Sequence, residues 1–310
     1  PDLRPAMKRQ RGLAVITAML VVALAASLAA FVAWQQHLWT RQVENLAAQA
    51  QGRAVALAAL QWARALLAED ARAGGTDHLQ EDWAQALAPL PADGGELSGA
   101  IRDQQGLFNL NSLVRGGQAS EADGAVFRRL LEQLGLPPDL DNAVVDWIDA
   151  DSEVRYPGGA EDGHYLTRDP PYRAANRPLT TVDGLYRVQG FDRVRVERLR
   201  PFVSVLPVPT PVNVNTAPPE VLAALVDGLT LEQAKTLTDA RDGRPFRDLD
   251  DFRQRLPPAA LAFDDSVAAV GSRYFLVAGH ARFDRARVGF EALLERGQSV
   301  WPTLVWQKNL

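Results

Sequence analysis

The sequence predicts an α+β fold in which a long N-terminal helix packs on an antiparallel sheet that is interrupted by a helical block. Three observations predict it. An apolar run near the N-terminus continues into an amphipathic helical pattern. Strand-like segments follow at 97–101 and near the C-terminus, and short capped helices fill the region between them. The 310 residues suffice for more than one domain, because domains commonly have about 100–200 residues.

The apolar run from Leu13 to Trp34 has the length and composition of a membrane-spanning helix. It carries no charge, and at about 1.5 Å per residue it crosses the roughly 30 Å hydrocarbon layer. Lys8, Arg9 and Arg11 precede it, so the positive-inside bias places the N-terminus in the cytoplasm and the remainder across the membrane. A cleavable secretory signal would instead have a shorter apolar region, of about 7–15 residues.

The helical pattern continues beyond the apolar run. Apolar residues recur at steps of three and four, at Leu46, Ala50, Ala54, Leu57 and Leu60. Only Gly52 interrupts them, at a cost of about 1 kcal/mol relative to alanine. We therefore expect one helix of more than fifty residues, half of it in lipid and half packed on a folded body.

Strand patterns lie on both sides of the helical block. Residues 73–95 are expected to form a glycine- and proline-rich loop, followed by a strand with Leu97 and Ile101 on one face. Near the C-terminus, Tyr274–Phe283 and Arg287–Glu295 are expected to pair through a turn at 284–285. Ser299–Trp306 is a third candidate, and Pro302 favours an edge position for it because proline cannot donate to a ladder.

The block between these strands contains recurring helix-start signals. Ser120 and Thr230 open sequences that resemble capping boxes, and we expect Thr216 and Asp248 to cap two further helices. The pattern predicts an all-helical block between about 112 and 265, inserted between strands of one sheet.

Composition excludes several classes of function. The net charge of −5 provides no basic field for nucleic acid, and the absence of cysteine removes thiol chemistry and Cys-ligated zinc. The four histidines are scattered without metal-ligand spacing. P-loop, HExxH and GxSxG motifs are missing from the sequence, and no aromatic sugar cleft accompanies its paired carboxylates. We expect a protein that is not an enzyme.

One acidic segment could carry a metal ion. Six carboxylates lie within seventeen positions, interleaved with glycine and proline: Asp146, Asp149, Asp151, Glu153, Glu161 and Asp162. Hard oxygen ligands on a bent loop suit Ca²⁺, although the spacing is not that of an EF-hand. Salt bridges to the neighbouring arginines are the alternative, through Arg155, Arg168, Arg173 and Arg177. Composition alone leaves both interpretations open.

The N-terminus resembles the class III signal of type IV pilins and pseudopilins. The leader Met-Lys-Arg-Gln-Arg-Gly occupies residues 7–12, and the apolar helix opens at Leu13. The resemblance implies cleavage by prepilin peptidase after Gly12, which exposes Leu13. Most members of that family carry glutamate at the fifth mature position, where this sequence has Thr17. Residues 1–6 are interpreted as a start misassignment or a cloning remnant.

Further motifs are similar to those of the K-type minor pseudopilins of type II secretion, the pseudopilins that lack this glutamate. The resemblance runs from Met7 to about Glu295 and rests on ordered segments at 106–111, 146–151, 159–162, 172–177, 213–217 and 270–275. It implies a pilin-like fold with a large α-domain insertion. The expected parts are extra residues and leader at 1–12, membrane helix at 13–34, first pilin part at 35–111, insertion at 112–268 with subdomains at 112–205 and 213–262, and last strands at 269–310.

The same resemblance implies a function and a metal. The family is known for calcium in its α-domain, which favours one or two Ca²⁺ ions with Asp149, Asp151, Glu161 and Asp162 as ligands and Asp146 in a supporting position. It implies a tip position on the periplasmic pseudopilus, initiation of its assembly with I- and J-type neighbours and other pseudopilus subunits, and an inner-membrane anchor. The insertion would face the secretin or the exported protein.

A DNA-uptake protein is the alternative from another class. Residues 212–217, two helices and Arg241–Phe246 resemble a helix-hairpin-helix module. Its hairpin, Val226–Thr230, has one glycine and carries Asp227, and Lys235 is the only lysine nearby. Backbone contacts to phosphate need a glycine-rich, electropositive turn, so we expect a helical packing unit that binds no nucleic acid.

Overall fold

The computed structural model describes residues 11–92, 95–258, 260, 263–283, 286–297, 299 and 301–309. The extra residues 1–6, most of the predicted leader at 7–10, the predicted turn at 284–285 and position 300 of the third strand candidate lie outside the described residues.

One helix dominates the N-terminal quarter of the chain. Helix α1 runs without a break from Arg11 to Ala73 and is 63 residues long, which corresponds to about 95 Å. Its first half is exposed over the whole apolar stretch, whereas its second half buries Ala56, Leu60, Ala63 and Leu67 against the sheet. The expected helix of more than fifty residues is confirmed.

Eleven strands are formed by the described residues, and five of them make the main sheet. In chain order they are β1 (Leu87–Ala92), β2 (Gly95–Asp103), β3 (Phe108–Asn109), β4 (Val114–Arg115), β5 (Gln118–Ala119), β6 (Val203–Ser204), β7 (Val212–Asn213), β8 (Ala268–Ala269), β9 (Tyr274–Phe283), β10 (Ala286–Glu295) and β11 (Thr303–Asn309). The main sheet has the order β1-β2-β9-β10-β11, and all of its neighbours are antiparallel.

Two strand predictions need correction. The expected loop at 73–95 contains β1, which carries Pro89 and Pro91 and lies at one edge of the sheet, where a missing N–H is tolerated. The third C-terminal strand begins at Thr303, after Pro302, and continues beyond Trp306 to Asn309. In the sequence, Pro89 and Pro91 indicate a loop, and Pro302 is expected to lie inside a strand. In both cases the bounds of the strand follow from the strand with which it pairs.

Large apolar side chains join α1 to the sheet. Leu67 is fully buried, and the Trp83 ring meets the Phe275 ring edge-on with centroids 5.1 Å apart. Ile101 and Val277, which are paired across β2 and β9, contribute to the same core. This core is separate from the core of the inserted block.

The insertion contains seven α-helices within the part of the chain described above. They are α2 (Glu121–Gln133), α3 (Leu140–Ile148), α4 (Asp162–Tyr165), α5 (Arg193–Leu199), α6 (Pro219–Leu225), α7 (Leu231–Gly243) and α8 (Leu249–Arg255). Three predicted caps are present, because the side chains of Ser120, Thr230 and Asp248 each accept the N–H three residues later.

Thr216 does not cap a helix, so that prediction is wrong. Helix α6 begins at Pro219 after the extended residue Pro218, and the Thr216 hydroxyl donates to Asp103 at the end of β2 instead. The insertion is not all-helical either. Short parallel pairs, β3 with β6 and β7 with β8, tie its entry and exit to residues far away in sequence.

The insertion has a large core of its own. Phe108 stacks on Phe127 with ring centroids 5.3 Å apart, and the fully buried Val221, Leu222 and Phe252 belong to the same cluster. The architecture of a long helix on an antiparallel sheet with additional helices agrees with the predicted α+β class. The predicted domain boundaries stay predictions.

Shortening Leu67 should weaken the packing of α1 on the sheet. We expect Leu67→Ala to lower the free energy of unfolding by about 2–5 kcal/mol, because it leaves a cavity in a fully buried position. Urea unfolding of the full chain in detergent, followed by tryptophan fluorescence, measures it. The matched control is Leu57→Ala on the same helix, half exposed, for which a change within about 0.5 kcal/mol is expected. Equal losses in both variants would contradict this packing.

Candidate functional site

The acidic segment predicted as a metal site lies between two helices. Helix α3 ends at Ile148, Asp149 follows as its C-cap in extended conformation, and the loop returns to Glu161 directly before α4. The hydrophobic side of α3 is fixed in the insertion core through Trp147 and Ile148. The loop ends are therefore held by buried helices, and the carboxylates are brought to one place.

Three of the four predicted ligands come together. Ligand oxygens of Asp149, Asp151 and Glu161 all lie within 4.8 Å of one another. Calcium binds oxygens at about 2.3–2.6 Å, so two oxygens on one ion lie at most about 5.2 Å apart. Asp149 and Glu161 are buried, while Asp151 is exposed at the mouth of the cluster. The geometry suits one ion with three protein side chains.

Several buried carboxylate oxygens in this cluster have no hydrogen-bond partner within the described part of the chain. They are Asp149 Oδ1, both carboxylate oxygens of Glu161, and Asp146 Oδ1. A buried polar atom without a partner costs about 1–3 kcal/mol, and more when it is charged. Four such oxygens in one place are the arrangement that a bound cation would satisfy, so the residues present fit a metal ion.

Asp146 holds the acidic loop in place through a hydrogen bond to its backbone. It is fully buried on α3, and its Oδ2 accepts the Arg155 N–H at 3.1 Å. Gly159 lies against this carboxylate and the Arg155 carbonyl so closely that a Cβ there would overlap both. The position agrees with the expected supporting role, although Asp146 Oδ1 also remains without a partner.

Asp162 lies outside the group of three. Its Oδ1 accepts the Ala174 N–H at 3.0 Å, and its Oδ2 is 3.5 Å from Arg173 Nη1. These contacts tie the start of α4 to the segment at 172–177. Its assignment as a metal ligand stays a prediction, and a second interpretation, as an anchor of that segment, now stands beside it.

The neighbouring arginines do not neutralise the cluster. Arg155 lies 3.9 Å from Asp146, Arg173 pairs with Asp162, and Arg168 bonds His164 and Gln189. Among the described residues, no arginine or lysine nitrogen lies within 4.0 Å of a carboxylate oxygen of Asp149, Asp151 or Glu161. The salt-bridge alternative therefore accounts for Asp162, whereas the three clustered carboxylates form no direct ion pair and only the more distant charge of Arg155 acts on Asp149.

Burial and mutual repulsion make these carboxylates weak acids when no metal is bound. Burial, followed by the charges of Asp146 and Asp149, raises the pKa of Glu161 to about 7. Burial also raises the pKa of Asp146 to about 6. The pKa of Asp149 is raised by burial and then by Asp151. Ionising all of them near neutral pH is unfavourable without a cation.

Aromatic residues and one asparagine support the site, and sequence reasoning missed both features. The Trp147 ring meets Tyr165 edge-on at 5.0 Å, and Tyr165 stacks on Tyr172 at 5.3 Å. Asn176, at a positive φ of 45°, donates its N–H to the Trp147 carbonyl. Asparagine is enriched among residues with positive φ. The position of Asn176 in the sequence nevertheless does not indicate that it bonds Trp147.

The second predicted functional element is the membrane helix. Within the described chain, one helix is long and apolar enough to cross a membrane: α1, from Leu13 onwards. The side chains of Leu13, Ile16 and Leu20 are exposed, as expected for a surface that meets lipid or another helix. The Thr17 hydroxyl donates to the carbonyls of Leu13 and Ala14 at 3.1 and 3.0 Å, so it is satisfied inside its own helix.

The helix-hairpin-helix look-alike shows an electrostatic surface of mixed sign. Lys235 pairs with Glu232 at 2.9 Å, and Arg241 is buried with its Nη1 donating to the Val214 carbonyl. Asp251 is surrounded by arginines, of which Arg255 forms the shortest contact. Lys235 and Arg241 are thus engaged within the unit, whereas Arg244 and Arg247 are mostly exposed beside Asp251.

Comparison with known proteins gives consistent matches. Two family models, both described as type II secretion system (T2SS), protein K, match residues 106–208 and 212–271, together more than half of the chain. "Type II secretion system protein K" of Pseudomonas aeruginosa is 38% identical over 300 residues, covering 93% of this chain and 90% of that protein. The protein of the same name from Pectobacterium carotovorum is 33% identical over 289 residues, covering 87% of each.

A solved structure has the same fold. A chain in the crystal structure of the GspK-GspI-GspJ complex from the enterotoxigenic Escherichia coli type 2 secretion system matches with a TM-score of 0.76. The match covers 87% of this chain and 99% of that one at 24% sequence identity.

The raised pKa of Glu161 predicts how stability depends on pH without metal. The folded carboxyl holds its proton up to about pH 7, whereas an unfolded glutamate releases it near pH 4.5. The folded state thus binds more protons in this window, and the free energy of unfolding should fall as pH rises through it.

Thermal melting in EDTA across this window tests the expectation. We expect Glu161→Gln to show a smaller fall than the wild type, whereas Glu153→Gln, an exposed carboxylate on the same loop, should keep the wild-type slope. Identical slopes for wild type and Glu161→Gln would refute the buried, repelled state of Glu161.

Proposed function

The chain belongs to the type II secretion system protein K family, and from this premise we propose that it is a minor pseudopilin that ends the periplasmic pseudopilus and initiates its assembly. It is a component of the machinery that exports folded proteins across the outer membrane. Its role in this proposal is structural and includes no catalytic step.

The start of α1 supports a tip position. A buried terminal amine needs a counter-charge, and in most pilins a glutamate at the fifth mature position supplies one to a neighbour. Thr17 offers a hydroxyl that is already used by its own helix. Such a subunit can engage the glutamate of a subunit below with its own amine, but it gives nothing to a subunit above.

The attachment of the insertion supports the same position. The insertion meets the segment that directly follows the far end of α1, where Thr76 donates to the Arg247 carbonyl and Asn213 donates to the Asp77 carbonyl; Asp70 lies in the last turn of the helix just before it. From Trp34 at the end of the apolar run to Asp70 is about 54 Å along the helix, at about 1.5 Å per residue. A bulky body at the end distant from the membrane obstructs a further subunit above it, whereas the slender helix below leaves room for neighbours.

The proposal places α1 in the inner membrane with the remaining chain in the periplasm, after prepilin peptidase has cut between Gly12 and Leu13. Beyond the apolar run, α1 exposes Trp39, Val43, Leu46 and Leu57. Apolar side chains on one helix are a suitable surface for packing against neighbouring helices. The related crystal structure is that of a complex with GspI and GspJ. We propose I- and J-type neighbours here, with the secretin or the exported protein facing the insertion.

Calcium is the metal that the acidic cluster fits. Asp149, Asp151 and Glu161 would hold it through oxygen atoms, and Asp146 would hold the loop beneath it. The bound ion would neutralise clustered negative charge and satisfy buried oxygens that lack partners. These residues then contribute to the stability of the insertion.

Calcium removal provides the test of the metal proposal. We expect Ca²⁺ to raise the melting temperature of the full chain relative to EDTA, since a ligand at a hundred times its Kd stabilises by about 2.7 kcal/mol. Asp149→Asn and Glu161→Gln should lose this shift, and Glu153→Gln should keep it.

Asp162→Asn separates the two interpretations of that residue. A lost calcium shift would make Asp162 a ligand, whereas a kept shift with lower overall stability would make it an anchor of Ala174 and Arg173. Isothermal titration counts the ions. An unchanged melting temperature in EDTA would exclude calcium from the proposal.

Disulfide crosslinking tests the tip position, because the chain has no cysteine of its own. Val43→Cys lies on the exposed face of α1, and Lys235→Cys on the insertion is the control. With cysteines at matching helix positions of the I- and J-type subunits, we expect mixed crosslinks through position 43 and none between two copies of this chain. A ladder of self-crosslinked copies would contradict a position at the end of the filament.

A further inference from the structure

The body formed by α1 and the sheet shares little apolar surface with the insertion. The buried residues of the two cores form separate clusters. Between them lies a small third cluster in which Leu206 of the insertion meets Tyr274 and Leu293 of the sheet, with Trp306 packed against it. Apolar contact is not directional, so a patch of this size does not by itself fix how one body is oriented on the other.

A network of polar side chains lies where the two bodies meet. We call it the polar joint and define it as Asp77, Asp103, Asn213, Ser272 and Arg296. These residues come from five separate parts of the chain: the segment after α1, the end of β2, the insertion, the return from the insertion, and the residue after β10. Asn213 is fully buried, and Asp77 is nearly so.

Asp103 is the centre of the polar joint. Its Oδ2 accepts hydrogen bonds from Asn213 Nδ2 at 3.0 Å, Thr216 Oγ1 at 2.5 Å and Ser272 Oγ at 2.6 Å. Its Oδ1 accepts the Gln105 N–H at 2.8 Å. One carboxylate at the end of the sheet therefore receives donors from both the outgoing and the returning sides of the insertion.

Asp77 and Arg296 connect the polar joint to α1. Arg296 forms an ion pair with Asp77, and its Nη1 donates to Asp70 of α1 at 2.6 Å. Asp77 also accepts the Ser272 N–H at 2.6 Å, and its carbonyl accepts from Asn213 Nδ2 at 3.1 Å.

Close approach of the backbones makes this arrangement compact. A Cβ added at Gly271 would lie 2.5 Å from the Gly75 carbonyl oxygen and 3.2 Å from Asp77 Oδ2. The returning segment passes so near the segment after α1 that a side chain at this position would separate the two.

These contacts select one orientation. A partly buried carboxylate is stabilised by its hydrogen-bond donors, and the donors of Asp103 belong to different bodies. Rotating the insertion by a small angle would remove several donors from Asp103 together. Hydrogen bonds thus supply the directional restraint that the small apolar cluster lacks.

We propose that the polar joint fixes the direction in which the insertion projects from α1 and the sheet, with Asp103 as the positioning residue. If α1 moves along its axis, the insertion then moves with it, because the junction between the two bodies does not bend. The segments at 213–217 and 270–275, which were identified as motifs in the sequence, therefore help to orient the insertion on the sheet. The inference stands whether or not the chain ends a filament.

Electron–electron distance measurements between two spin labels test the proposal on the full chain in detergent. Because the chain has no cysteine, Ala58→Cys on α1 and Ala240→Cys on α7, both exposed, give a unique label pair across the polar joint. We expect a single narrow distance maximum in this background. Adding Asp103→Ala should cause loss of that maximum and a broad distribution, and Asp103→Asn should restore part of it, since the hydroxyls of Ser272 and Thr216 can also accept hydrogen bonds.

Two further variants separate orientation from stability. The Asn215 side chain is buried and bonds the Phe246 main chain within the insertion, through both its amide nitrogen and its oxygen, and the backbone N–H that Asn215 donates to Asn213 is kept in an alanine variant. Asn215→Ala should lower the melting temperature and leave the distance maximum narrow. Arg102→Ala, an exposed neighbour of Asp103, should change neither.

The proposal is overturned if folded Asp103→Ala keeps the narrow wild-type maximum, or if Asn215→Ala broadens the distribution equally. Should Asp103→Ala fail to fold, Ser272→Ala removes one hydroxyl from the same carboxylate. A broadened distribution in Ser272→Ala supports the proposal, and an unchanged narrow one overturns it.

Discussion

The packing of one half of α1 on the sheet is the interaction on which the rest of the structure depends. A single helix meets two different environments, and only its second half has a protein surface to cover it. Small and large residues alternate there, since Ala56 and Ala63 let the helix approach while Leu60 and Leu67 fill the space above Phe275 and Phe290. Because the helix is continuous, this packing also sets where the sheet lies relative to the apolar first half of α1.

Local signals in the sequence predicted the elements whose cause is local. Ser120, Thr230 and Asp248 cap helices because each satisfies an N–H three residues away, and that spacing is visible in the sequence. Thr216 looks identical by the same rule but is held by Asp103, more than a hundred positions earlier. The parallel pair of Phe108 with Val203 has a similar separation and is too short to leave a periodic pattern. Such contacts follow from the assembled fold and have no local signature.

The candidate site shows the same difference between features with a local cause and features that depend on the assembled fold. Composition located the acidic loop and three of the clustered carboxylates, because glycine, proline and repeated acids are local features. It could not identify the partners of Asp146 and Asp162, which depend on what each meets after folding. Asp162 meets the Ala174 N–H, and Asp146 meets the turning backbone at Arg155. The support from Tyr165 and Asn176 was missed for that reason, since both act on residues brought near by the helices.

Two groups of desolvated acids in this chain contrast in what surrounds them, and the contrast argues for their different roles. Burial raises the pKa of Asp103, but hydrogen bonds from Ser272, Thr216 and the Gln105 N–H oppose that shift, and Asn213 donates to the same carboxylate. Burial also raises the pKa of Glu161, yet the neighbours that follow burial as causes are carboxylates, and neither of its oxygens finds a donor in the described chain. An acid with its donors supplied is stable as a structural centre without further help. An acid among acids requires either protons or a cation, and this requirement is the argument for the proposed calcium site.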